Sequence, residues 1–267
     1  MLNNKHSKYF DFTGINAFVT GASGHLGRSM CEALAEHGAK VYLNGRNSKK
    51  INAMHRTFER KGLKSEPVVI DLLDFEKIKN YFLVNKKPFG IIINNAHHGK
   101  PSKFEHSDLQ SYKEAYDISV LATANLINSA KKNLILASKK NNTSSVINIS
   151  SMYGSITPDP KIYGNSKLDN PPYYGAAKAA LEQYSKYAAV NLAKFRIRVN
   201  TISPGPFPGP SIIKKNKNFI KNLRAKNPLN KIGKPKDLIT SILFLSSNNS
   251  NFITGINIPV DGGWKIW

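Results

Sequence analysis

The sequence predicts an α/β fold, a doubly wound parallel sheet with helices on both faces. Three observations carry this expectation. Short apolar runs rich in β-branched residues recur through the 267 residues, and continuous runs of that length suit strands buried on both sides. Between them, apolar residues return at spacings of three and four, which marks one face of a helix. Strand and helix alternate from start to finish, which implies βαβ units with right-handed crossovers.

In chain order the strands are expected at Ala17–Thr20, Val41–Leu43, Val68–Ile70, Gly90–Asn94, Val146–Ser150, Val199–Ile202 and Ile256–Val260. Leu26, Met30 and Leu34 mark the first helix, and Gly38 stops it. Ala177, Leu181, Tyr184, Ala188 and Leu192 mark one face of a long helix, and Leu238, Ile242 and Leu245 mark another. From Pro204 to about Pro228 the chain is rich in Pro, Gly and Lys and reads as a mobile loop or lid. No internal repeat or low-complexity linker breaks the pattern, so residues 1–267 read as one domain.

Composition excludes several classes. Hydrophobic residues make up 40%, ordinary for a globular protein. No stretch of about 18 apolar residues occurs, so no membrane-spanning helix is expected. Met1 to Phe12 lacks the apolar centre of a secretory signal. Cys31 is the one cysteine, so no disulfide forms within the chain, which suits a reducing cytoplasm. The formal charge of +22 comes from lysines scattered over separate segments, which argues solubility and steering rather than nucleic-acid binding. His97 and His98 have no third ligand at metal spacing, so they are read as lining a pocket, with no metal.

After the first strand, Thr20-Gly21-Ala22-Ser23-Gly24-His25-Leu26-Gly27 opens a helix. Glycines there let the backbone turn tightly against a pyrophosphate, whose charge sits at the positive helix N-terminus. An acidic residue ending the second strand would hold an adenine-ribose hydroxyl and exclude a 2′-phosphate. This chain reads Asn44-Gly45-Arg46-Asn47, with Lys49 and Lys50 close behind. A guanidinium can pair with the phosphate, so NADP is expected. The alternative is that Arg46 stacks on adenine and the site takes NAD. Asp71 and Leu72 after the third strand, and Asn95 and Ala96 after the fourth, are placed to meet the cofactor.

Tyr174 and Lys178, four apart at the start of the long helix, share a helical face. A phenol exchanges protons poorly at neutral pH unless a nearby ammonium and the cofactor's positive charge stabilise the phenolate. Upstream, Asn148-Ile149-Ser150-Ser151-Met152-Tyr153-Gly154 offers a hydroxyl to hold a substrate oxygen, and Ser151 is chosen on the Ser-x-x-Gly register.

These motifs, with Asn200-Thr201-Ile202-Ser203-Pro204-Gly205, Thr254-Gly255 and Val260-Asp261-Gly262-Gly263, stand in the order of the short-chain dehydrogenase/reductase family, which the chain resembles over its whole length. The resemblance implies a Rossmann-like sheet of seven parallel strands flanked by helices, a nicotinamide cofactor, a Ser151–Tyr174–Lys178 centre and a homodimer or homotetramer built on the long helices flanking the Ser strand. It also places Pro204 and Gly205 at the cofactor. Four departures stand out. Gly24 and His25 give a Thr-Gly-x-x-Gly-x-x-Gly turn that looks like the extended branch of the family. His97 replaces the Gly usual after Asn-Asn-Ala. Ser119 stands where the family carries an Asn that holds a proton-relay water, so turnover is slower or Ser119 holds the water differently. Pro206-Phe207-Pro208 stands where a Thr often meets the nicotinamide amide.

Ser151 and Tyr174 are 23 positions apart, well beyond the family's usual spacing. The added segment, Thr157 through Pro172, has both ends fixed at the site and must project over it. It is polar and carries Tyr163, which suits a polyhydroxylated ligand, a sugar or sugar nucleotide. Lys161 and Lys167 could also welcome an anionic group. The insertion and the Asp-Gly-Gly-Trp ending resemble a subgroup associated with bacterial surface-sugar synthesis, including flagellin glycosylation and nonulosonic acid pathways. The rival readings are a 3-oxoacyl carrier-protein reductase and a nucleotide-binding relative without turnover.

Overall fold

The computed structural model describes residues 9–97, 99, 102–164 and 169–266; His98 and Lys167 lie outside these. The strands are β1 Asn16–Val19, β2 Lys40–Asn44, β3 Ser65–Val68, β4 Ile91–Asn94, β5 Ser144–Ile149, β6 Ile197–Pro204 and β7 Asn257–Val260. They form one seven-stranded sheet in the order β3-β2-β1-β4-β5-β6-β7, with every neighbouring pair parallel. The doubly wound expectation holds. Order reverses between β1 and β4, and the crevice beyond the strand ends there is the place such sheets bind ligands.

One face is covered by α1 (His25–Glu36), α2 (Ser48–Arg60) and α10 (Ile239–Ser246). The other is covered by α3 (Phe75–Val84), α5 (Ala122–Asn141) and α7 (Pro172–Ala193). Strand alternation feeds both layers: in β1, Ala17 and Val19 join the first core and Phe18 the second. The predicted helix faces are where they should be, with Met30 and Leu34 buried on α1 and Leu181, Ala188 and Leu192 buried on α7.

Two expectations need correction. The third strand runs three residues earlier than Val68–Ile70, because Asn44 at the end of β2 pairs with Val68 and leaves Val69 exposed. β3 is an edge strand with water on one side, so Ser65, Glu66 and Pro67 can occupy it where a buried strand would need apolar residues. The Lys64 carbonyl accepts from Val41 of β2 and the Val68 carbonyl from Gly45 just after it, which turns Pro67, between them, away from the ladder. The opposite edge repeats this: Thr201 of β6 donates to the Ile256 carbonyl and Gly205, just after β6, to the Val260 carbonyl, and Pro259 faces outward.

Within the stretch from Pro204 to Pro228, the second correction, lie two helices, α8 (Pro210–Lys215) and α9 (Lys217–Ala225). Pro210 sits in the first turn of α8, where a proline is tolerated. Ile220 and Leu223 of α9 are buried in a small separate core with Met152, Ile162 and Trp264. The insertion adds a short helix, α6 (Pro160–Tyr163), capped by Asp159. It is clasped to α9 by a Tyr163–Phe219 ring stack at 5.4 Å, an Asn222 amide donating to the Ile162 carbonyl at 3.0 Å, and a Lys226–Asp159 ion pair at 3.1 Å. Between α4 (Leu109–Tyr116) and α5, residues Asp117–Leu121 form a π turn, in which the Ala122 N–H donates to the Asp117 carbonyl.

Candidate active site

A cleft of about 1060 Å³ opens over the carboxyl ends of β1, β2, β4, β5 and β6. Its lining includes Gly21, Ser23, Gly24, His25, Leu26, Arg46, Asn47, Asp71, Leu72, Asn95, Ala96, Ser151, Tyr174, Lys178, Pro204 and Gly205, so the structure brings together nearly all the residues read from the sequence. Lys50 joins Arg46 at the end beyond β2. Gly27 and Ser119 do not line the cleft.

Gly27 serves the turn by packing. A Cβ there would lie 2.3 Å from the Gly21 carbonyl oxygen and 2.8 Å from the Asn95 amide nitrogen, so only glycine lets α1 sit this close to the turn. Gly21 itself has φ +60°, the left-handed region. The turn is bolted to β4: the Thr20 hydroxyl accepts from the Asn95 and Ala96 N–H groups at 2.9 and 3.0 Å, and the Asn95 amide donates to the Thr20 carbonyl at 3.0 Å. Asn95 is thus a buttress as well as a lining residue, a role its bare sequence does not reveal. Asn47 likewise caps α2 by accepting from the Lys50 N–H at 3.0 Å.

The arrangement fits a dinucleotide. α1 begins at the cleft wall with no acidic residue in its first turn, which leaves its positive end to an anion. Leu72 offers a buried apolar contact at the same end as the cations Arg46 and Lys50.

At the other end stand the reacting groups. Ser151 follows β5 and is buried, and its Oγ accepts from the Tyr153 N–H at 3.2 Å. The Ser151 and Tyr174 side chains line the same end of the cleft. Burial holds the Tyr174 phenol above its ordinary pKa, and the Ser151 hydroxyl opposes that rise. Lys178 is buried, with Nζ 5.8 Å from the Tyr174 ring centre and donating to the Ile149 carbonyl at 2.8 Å. Burial presses its pKa down to about 8, and Glu182 opposes that fall. In the protein alone burial therefore sets the direction for the phenol, and the Lys178 ammonium is directed at a carbonyl instead.

Ser119 is buried in the π turn, next to Ile118, which does line the cleft. His97 lines the cleft with its ring edge-on to Tyr174, the centroids 6.2 Å apart. Phe207, from the segment that departs from the family pattern, also lines it. Sequence reasoning missed Thr20, the Ile149 carbonyl and Glu182, whose roles depend on which strands the fold sets side by side.

Comparison with known proteins agrees with this picture. The model of the family described as enoyl-(acyl carrier protein) reductase matches residues 21–265. Gluconate 5-dehydrogenase of Gluconobacter oxydans is 26% identical, with 97% of each chain covered. The 3-oxoacyl-[acyl-carrier-protein] reductase FabG of Rickettsia typhi is 30% identical, over 95% of this chain and 98% of that one. Among solved structures, the Pseudomonas aeruginosa RhlG/NADP active-site complex superposes with a TM-score of 0.86 at 25% identity, covering 96% of this chain and 98% of that one. Among the described residues no helix is long and apolar enough to cross a membrane. A family match across this much of the chain, on this sheet and around this cleft, leaves one conclusion: the protein belongs to the short-chain dehydrogenase/reductase family of oxidoreductases.

Proposed function

We propose that the protein moves hydride between a nicotinamide cofactor, NADP ahead of NAD, and a carbon of a polar, sugar-derived substrate, with ketone reduction the working direction. The observation that carries this reading is the convergence of Ser151, Tyr174 and Lys178 at one end of a cleft whose other end presents Arg46 and Lys50. The cofactor, when bound, supplies or accepts the hydride. Gly21, Ser23, Gly24, His25 and Leu26 hold its pyrophosphate, Arg46 its 2′-phosphate, and Lys178 its nicotinamide ribose. Ser151 holds the substrate oxygen, and Tyr174 gives that oxygen its proton in reduction and takes it back in oxidation. Ser119, buried in the π turn, would take the place of the family's relay Asn.

The sugar-like substrate is supported by the polar insertion beside the site and by likeness to a gluconate 5-dehydrogenase. The insertion's resemblance to surface-sugar enzymes carries the finer reading, a step in surface polysaccharide or nonulosonic acid synthesis. Exposed apolar side chains on α5 and α7, among them Leu136, Tyr187 and Val190, support a homodimer or homotetramer. Likeness to FabG favours a second reading, reduction of a 3-oxoacyl carrier-protein thioester.

Fluorescence titration with NADPH and NADH, on the native protein and Arg46→Ala, tests the cofactor end. NADPH should bind more tightly, and Arg46→Ala should abolish that preference; equal or tighter NADH binding overturns it. Screening 5-dehydrogluconate and other keto sugars beside acetoacetyl thioesters, with NADPH consumption as readout, decides between the substrates.

A further inference from the structure

Behind the reacting groups stands a carboxylate that hydride transfer does not itself require. Glu182 lies about one helical turn beyond Lys178 on α7, about 6 Å further along the axis, and does not line the cleft. Its Oε1 accepts the Ser150 hydroxyl at 2.8 Å and the Ser203 hydroxyl at 2.9 Å. Ser150 adjoins Ser151 at the end of β5, and Ser203 precedes Pro204–Gly205 at the end of β6. Space for the carboxylate is made by Gly154, where a Cβ would stand 2.6 Å from Glu182 Oε1. One oxygen therefore joins the strand bearing Ser151, the strand bearing the cofactor loop and the helix bearing Tyr174 and Lys178.

We propose that Glu182 is a positioning residue of the catalytic centre: its negative charge holds Lys178 as an ammonium, and its hydrogen bonds lock the Ser151 and Pro204–Gly205 strand ends to the catalytic helix. Lys178 is 2% exposed and donates to a neutral carbonyl, so water does little to stabilise its charge. The other titratable groups around the centre are Tyr174 on the same helix, Tyr153 in the turn after β5, His97 after β4, Lys113 and Glu114 on α4, and Asp117 in the π turn. Glu182 shares the helix with Lys178 one turn away, whereas Glu114 and Asp117 line the cleft from α4 and the π turn. The groups facing Glu182 from β5 and β6 are the neutral hydroxyls of Ser150 and Ser203, and the latter lies 2.9 Å from the Asn257 side chain of β7.

The inference rests on the Ser151–Tyr174–Lys178 reading but not on the identity of the sugar. Competitive acetylation of the intact, unliganded protein with acetic anhydride, read at Lys178 by mass spectrometry from pH 6 to about 11, follows the lysine without any substrate. Glu182→Gln should move the midpoint of Lys178 reactivity down by about one pH unit, and Glu182→Asp should restore most of it. Glu182→Ala, where the crowding at Gly154 is relieved, should give the same shift if the amide fails to fold. A midpoint unmoved in a folded variant lacking the charge overturns the proposal.

A second readout uses ketone reduction with NADPH. The active form holds both the Tyr174 and Lys178 protons, and removing a nearby negative charge weakens proton binding at both. The alkaline limb of the kcat/KM profile should therefore move to lower pH in Glu182→Gln. A uniform fall in rate with the limb in place is the signature of a merely structural residue and also overturns the proposal. A native protein whose Lys178 titrates as described, yet reduces no keto sugar, defeats the substrate reading alone.

Discussion

Tyr174 stands with Ser151 in the cleft, and burial keeps its proton on, so the resting phenol is poised to donate. Tyr174→Phe removes that donor and nothing else of comparable size. NADPH affinity should stay roughly unchanged while kcat falls by a factor of about 10² to 10⁴, the usual worth of a positioned acid. Retained turnover, measured by NADPH oxidation with any accepted ketone, sinks the assignment. Lys178 carries a second prediction. Its folded pKa of about 8 lies below the ordinary 10.5, so between those values the unfolded chain binds the extra proton. Stability then rises with pH across that window, relative to a protein without the lysine, by on the order of 3 kcal/mol in all. Urea unfolding of the native protein and Lys178→Met at pH 7 and pH 10 checks this, and parallel pH dependences refute it. Ser151, Tyr174 and Lys178 were legible in the sequence because a helix fixes the Tyr–Lys spacing and the Ser motif ends a strand. Glu182 was not, since its meaning comes from Ser150 and Ser203 on two strands that only the folded sheet brings together.

Among elements, the insertion and the substrate-side helices behave as one unit. Tyr163, Ile162 and Asp159 of the insertion meet Phe219, Asn222 and Lys226 around α9 through a stack, a hydrogen bond and an ion pair. The ion pair is partly exposed and adds little by itself; the stack over a small apolar core is the stronger tie. Phe219→Ala should free α8 and α9 and expose their many lysines, so limited trypsinolysis should cut between Lys214 and Lys226 several-fold faster than in the native protein. Equal cutting rates would show that the clasp does not hold the helices. These helices hid in the sequence because polar and basic residues surround the few apolar positions, Ile220 and Leu223, that α9 buries. β3 hid for a related reason: a pattern of continuous apolar residues finds central strands, and an edge strand need not show it.

At the scale of the whole molecule, strand and helix alternation made the doubly wound parallel sheet legible, because the crossover rule leaves few ways to wind such a chain. Charge by itself did not signal the site. Most of the 39 Lys and Arg residues lie elsewhere, and Arg46 and Lys178 were legible from their places after β2 and on the Tyr174 helix, not from their charge. If α5 and α7 pair with a second copy, Leu136→Lys with Val190→Lys should convert a dimer or tetramer to smaller species in sedimentation velocity. Unchanged sedimentation would place the contact on another face.

The outward prolines at the two margins of the sheet bear on how the protein behaves in a crowded solution. A bare margin is a template on which a stray chain can add itself, rung by rung, and begin a fibril. Pro67 on one side and Pro259 on the other each withhold the N–H that such a newcomer would need midway along a four-residue strand. Neither margin can be extended without a gap, so a chain dense in apolar strands can stay dispersed at the concentrations a metabolic enzyme reaches.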